Sequence, residues 1–140
     1  MSAPPIHATT VAIDGAAVLL LGPSGSGKSD LALRLIDRGA ALVSDDYTLL
    51  AVRDGTLFAS APATIAGRIE VRGLGIVAVE SVGNAPVALV VRLDRTVDRM
   101  PDAVRAVYDG ISVAEIAIDP FELSAPIKVE LAVRRATEAT

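Results

Sequence analysis

Gly22-Pro-Ser-Gly-Ser-Gly27-Lys28-Ser29 gathers three glycines, an ammonium and three hydroxyls in one short run. It fits G-x-x-x-x-G-K-[S/T] at every fixed position, the pattern of a loop that cradles phosphate. Gly22, Gly25 and Gly27 let the backbone turn so that successive N–H groups face one anion, with Pro23, Ser24 and Ser26 filling the bend. Lys28 supplies a mobile point charge for the outer phosphates, and the Ser29 hydroxyl suits the coordination shell of Mg²⁺. A Gly/Ser-rich turn can match such a pattern by chance. The apolar run before it and the amphipathic segment after it favour the phosphate site.

Phosphoryl transfer also needs a group to manage a hydroxyl proton and one to support the metal. Asp45-Asp46 supplies two adjacent carboxylates for that work. An Asp-Asp pair also commonly opens a turn, and only the neighbouring phosphate loop lifts the catalytic reading above that one. His7 is the sole histidine, so no zinc cluster can be built from histidines. Glu70 and Arg72 alternate within an apolar segment and so share a strand face, where they could simply form a surface ion pair. Spacing does not choose among Arg68, Arg72, Arg92, Arg95 and Arg99 as site residues.

These groups must be held by surrounding elements. Val11 to Ile13 and Ala17 to Leu21 read as strands joined at Asp14-Gly15, and Tyr47 to Val52 and Thr56 to Ser60 as strands joined at Asp54-Gly55. Ser29 to Arg38 reads as a helix: Leu31/Leu35 and Ala32/Ile36 recur four apart, Asp30 suits its first turn, and Gly39 caps it. Ala41 to Ser44 is a short buried strand that delivers Asp45-Asp46 to its carboxyl end, the edge where open sheets bind ligands. Ile69 to Val79, interrupted by Gly73 and Gly75, together with Val87 to Leu93 and Ile111 to Ile118, read as extended. Pro101 to Tyr108 reads as a short helix stopped at Gly110, and Lys128 to Ala139 as a longer one. Met1 to Pro5 reads as a loose leader. Repeated hairpins where a βαβ protein would place helices predict an α/β fold with a mixed sheet.

A chain of 140 residues fits one domain spanning 1–140, and such a domain buries about 70% of its unfolded surface. Apolar residues make up 51% and aromatics 3%, so the core is built from Ala, Val, Leu and Ile. A net charge of −4 argues against a general nucleic-acid binder. No cysteine is present, which excludes disulfide and thiolate chemistry. The longest apolar run, Ala16 to Leu21, is too short to span a bilayer, so no membrane insertion is expected.

Taken together, His7, the Gly22–Ser29 loop, "DRGAALVSDDYTLL" and "IEVRGLGIV" resemble the catalytic domain of the HPr kinase/phosphorylase family, bacterial enzymes acting on a serine of a sugar-phosphotransferase phosphocarrier. The resemblance runs from His7 to about Met100. It implies a P-loop fold similar to phosphoenolpyruvate carboxykinase, with ATP and Mg²⁺ as cofactors. Carried onto these residues, it places His7 in the active site, gives Lys28 and Ser29 to phosphate and Mg²⁺, makes Asp45 the proton acceptor, assigns Asp46 to the metal side, and sets Glu70 and Arg72 beside the phosphates. It further implies an HPr-like phosphocarrier as partner, a homohexamer and, as in many members, phosphorolysis in reverse; a cytoplasmic home is compatible with the absence of cysteine. Two departures stand out. The usual N-terminal family domain does not precede this one, which resembles the short form of some alphaproteobacteria. The Pro-Gly-Arg-Asn stretch common near the family's last apolar segment is replaced by "DPFELSAPIKVELAV". These departures motivate an alternative of another class, a nucleotide-sensing regulatory module that binds a phosphotransferase component or sensor kinase without turnover.

Overall fold

The computed structural model describes residues 4–138. The first part of the expected leader and Ala139 lie outside the described residues.

Chain reversal is driven by a repeated device, Asp-Gly with both residues at positive φ, which matches the twist of antiparallel strands. At Asp14-Gly15 it joins β1 (Ile6–Ile13) to β2 (Ala16–Leu21), and at Asp54-Gly55 it joins β4 (Tyr47–Arg53) to β5 (Thr56–Ser60). Between these hairpins lie α1 (Lys28–Asp37) and β3 (Ala41–Ser44). Gly39, at φ 112°, closes α1 as expected, with Gly39 N–H bonding Ile36 O and Ala40 N–H bonding Leu35 O. β6 (Arg68–Val71) and β7 (Gly75–Ala78) form a separate two-stranded arm, and β8 (Asn84–Arg92) returns to the main sheet. β9 (Val104–Tyr108), β10 (Ile111–Ala117) and α2 (Ala125–Glu138) complete the chain.

The expected helix over Pro101 to Tyr108 is corrected here: residues 104–108 are strand β9, paired antiparallel with β10 from Ile111↔Tyr108 to Glu115↔Val104. Asp109-Gly110 is a third positive-φ turn, at 50° and 82°, so the glycine taken for a helix stop is a hairpin corner. Val104, Val107 and Tyr108 favour the pleated strand over the helix.

The main sheet is mixed, as expected. Its order β2-β1-β4-β5-β8 closes through a β2–β8 pairing, and β10 and β9 extend it beyond β8. β2–β8 and β8–β10 are parallel, while the other named strand pairs are antiparallel. Alternation along β2 then feeds two cores. Val18 and Leu20 meet Leu31 and Leu35 of α1 and Val129 and Val133 of α2, whereas Ala17, Leu19 and Leu21 meet Val43, Leu57 and Val90 inside the ring of strands. β2 is thus buried on both faces and paired along both edges, with β1 and with β8, which fixes the loop that follows it. Among the described residues no helix is long and apolar enough to cross a membrane.

Candidate functional site

The loop leaves β2 at Leu21 and enters α1 through Gly27, which sits at φ 97° as the helix N-cap. No side chain caps that end, so the first-turn N–H groups stay available to an anion. Glycine at position 27 also answers a close approach: an added Cβ would lie 3.2 Å from Pro120 Cγ. The 119–122 segment that causes this approach is pinned to α1, where Arg34 donates to the carbonyls of Pro120 and Glu122.

Lys28 is buried, its ammonium donating to Gly22 O at 2.6 Å and Pro23 O at 3.1 Å. Burial pushes it below the ordinary 10.5, and the carboxylates of Asp46, Asp45 and Asp94 pull the other way. Asp94 follows β8, which runs parallel to β2 with Arg92 beside Leu21, so it reaches the same sheet edge as the loop. Nothing in the sequence singled it out.

The adjacent carboxylates occupy different surroundings. Asp45 is buried at 8% exposure with both oxygens engaged: Oδ1 accepts from Ser29 Oγ at 2.7 Å and Thr9 Oγ1 at 3.2 Å, and Oδ2 from the Glu70 N–H at 2.9 Å. Asp46, with 55% of its side chain exposed, meets His7 Nε2 at 2.7 Å. Its backbone is left-handed, φ 71°, and its N–H donates to Thr9 Oγ1 at 3.2 Å. Thr9 therefore bridges the pair, giving its proton to one aspartate and accepting from the next. The Tyr47 ring stacks on His7 with centroids 5.4 Å apart.

Ser24, Gly25, Gly27, Lys28, Ser29, Asp45, Asp46, Glu70 and Arg72 all line one cleft of about 850 Å³. Gly22 and Pro23 form the floor of the loop through their carbonyls, and Ser26 packs under it with its hydroxyl buried and unpartnered. His7 stands behind Asp46. The sequence reading missed Thr9, Tyr47 and Phe121 around this site and left Arg68 undecided among five arginines. Strand alternation with Glu70 was an available signal for Arg68. Thr9 looks like any threonine in an apolar strand.

Ser29 Oγ and the Asp45 carboxylate are hard oxygen donors placed together, a set suited to Mg²⁺. Among the described residues no group of three or more His, Cys, Asp or Glu could hold a metal alone.

HPr kinase/phosphorylase of Clostridium botulinum (strain Eklund 17B / Type B) is 45% identical over 72 residues, covering 51% of this chain and 24% of that protein. Its counterpart from Lachnoclostridium phytofermentans is 42% identical over 97 residues, covering 64% of this chain and 31% of that one. The chain thus spans about a quarter to a third of the length of these curated relatives. The solved structure of the Hpr(Ser) kinase/phosphatase from Coxiella burnetii superposes with a TM-score of 0.85 at 30% identity, covering 98% of both chains. A family model described as HPr Serine kinase C-terminal domain matches residues 2–136, so the chain belongs to that family.

Proposed function

We propose that the cleft binds ATP with Mg²⁺ and transfers its terminal phosphoryl group to a serine hydroxyl of an HPr-like phosphocarrier. The loop amides and Lys28 hold the phosphates, and Ser29 with Asp45 would hold the metal, which when bound neutralises phosphate charge. Asp46 takes the proton from the attacking hydroxyl. This exchanges the two aspartate roles expected from the resemblance, and the reason is geometric: Asp45 has both oxygens committed to three donors, while Asp46 faces the cleft with one partner. A general base must reach the hydroxyl it deprotonates, and Asp46 alone of the two is free to do so. His7 orients the Asp46 carboxylate and stabilises its charge before transfer. In the reverse direction a protonated Asp46 returns the proton to the leaving serine oxygen.

The observation that supports this reading is the Ser29–Asp45 hydrogen bond at 2.7 Å in the same cleft as the half-exposed Asp46. The catalytic fold and acceptor-side carboxylate favour turnover over a purely sensing role. Incubation with labelled ATP, Mg²⁺ and an HPr-like phosphocarrier tests it: phosphoserine on the carrier, lost in Asp46→Asn, is expected. Nucleotide binding with no serine phosphorylation at any ATP or Mg²⁺ concentration would favour the sensing module.

A further inference from the structure

β6 and the turn that follows it carry charge in a pattern that the loop and the acidic pair leave unexplained. Arg68, Glu70 and Arg72 recur at every second position, with Ile69 wholly buried between the first two. Alternate strand residues share a face, so seating Ile69 in the helix-side core turns Arg68 and Glu70 the other way. Arg68, Glu70 and Arg72 all line the cleft that holds Lys28, Ser29 and Asp45. Across the arm Arg68 faces Ala78, whose methyl group offers no charge. Among the described residues neither Arg68 nor Arg72 lies within ion-pair distance of a carboxylate, although Arg34, Arg38, Arg92 and Arg95 each do.

The width of the cleft is set by Asp45. One of its oxygens holds the Ser29 hydroxyl and the other the Glu70 N–H, so a single carboxylate spans the gap between the start of α1 and β6. Side chains on the cleft face of β6 therefore stand across from the anion nest, within reach of one polyphosphate. Charge balance then makes a demand. Of the four carboxylates lining the cleft, Asp30 is paired with Arg34. Against the other three, Asp45, Asp46 and Glu70, Lys28 and Arg72 alone would leave a net negative charge toward an entering polyanion, and Arg68 brings that remaining set to three against three.

We propose that Arg68 is a polyphosphate-binding residue, its planar fork gripping phosphate oxygens that lie outside the loop's own nest. The proposal rests on the cleft being a nucleotide-phosphate site. A guanidinium suits the task because its donors are fixed in a fork that matches two phosphate oxygens, which a lysine cannot reproduce.

The test is calorimetric titration of the full chain with ATP and, separately, with inorganic pyrophosphate, both with Mg²⁺. Arg68→Met and Arg68→Lys are compared with wild type and with Arg99→Met, an exposed arginine outside the cleft whose loss changes net charge equally. Arg68→Met is expected to raise Kd for both ligands about tenfold, Arg68→Lys to recover part of that, and Arg99→Met to change neither. Equal behaviour of Arg68→Met and Arg99→Met would overturn the proposal. So would unchanged Kd values with a raised KM for the phosphocarrier, which would give Arg68 to acceptor docking. Absence of polyphosphate binding by wild type would overturn the nucleotide reading and Arg68 with it, a result distinct from either.

Discussion

Asp45→Asn and Asp46→Asn should fail in different ways, and the size of each failure follows from the hydrogen bonds. Asp45 accepts from Ser29, Thr9 and the Glu70 N–H. An asparagine there can keep its carbonyl on the Glu70 N–H and turn its amide to the two hydroxyls, which rotate to accept, so the fold survives. Each of the three bonds loses its charge assistance, worth roughly half its strength, for a total of about 2 kcal/mol. The oxygen pair proposed for the metal is lost as well, so Mg²⁺-dependent ATP binding should weaken markedly. Asp46 is half exposed with one partner, and its replacement should alter stability by no more than about 0.5 kcal/mol. Loss of a general base, by contrast, costs about 10²- to 10⁴-fold in turnover, equivalent to about 3–5 kcal/mol of barrier. Urea unfolding, calorimetry with Mg²⁺ and ATP, and phosphoserine formation separate these effects. Near-normal turnover by Asp46→Asn, with Asp45→Asn stable, binding normally and inactive, would refute the division and restore Asp45 as the base.

Thr9→Val, nearly isosteric at a wholly buried position, strands the Asp46 N–H and removes a donor from Asp45; it should cost about 2 kcal/mol in urea unfolding and lower kcat more than it raises the ATP Kd. Gly27→Ala combines left-handed φ with contact against Pro120, whereas Gly25→Ala meets nothing within 4 Å, so the first should destabilise by about 1–3 kcal/mol and the second by about 1 kcal/mol in thermal unfolding. Burial favours the neutral amine of Lys28 in the folded chain, so just below 10.5 the unfolded chain binds more protons and stability rises with pH. Wild-type stability relative to Lys28→Met should therefore climb as pH approaches 10.5, and a flat difference in urea titrations at stepped pH would contradict the burial of the ammonium.

The fold was legible wherever a local pattern also decided the long-range partner. Asp14-Gly15 and Asp54-Gly55 sit between strands that pair with each other, so turn chemistry and tertiary contact agree. Asp109-Gly110 sends the same signal, but Pro101 ahead of it and Gly110 behind imitate a helix start and stop. The decision lay with the edge of a sheet that no short window contains, where β10, held parallel to β8, offers its free side to residues 104–108. Closure of the ring through the parallel β2–β8 pairing was hidden for the same reason, since its two strands lie far apart in sequence.

The site shows a different limit. Residue types sufficed to single out the glycine-rich loop and the acidic pair that the fold brings into one cleft, because three glycines, a lysine and two carboxylates have few other joint uses. What types could not assign was which aspartate turns inward. In a regular strand neighbours face opposite sides, and either phase of that alternation would have been compatible with the sequence. The phase is set from outside the motif, by Thr9 on β1, whose one hydroxyl donates to the Asp45 carboxylate and accepts the Asp46 N–H while Asp46 adopts φ 71°. The left-handed residue at Asp46 breaks the strand so that its carboxylate leaves the buried network and meets His7 at the cleft. Two identical side chains thus acquire different surroundings from one bridging hydroxyl, and under the proposed division of roles replacing that hydroxyl should disturb both at once.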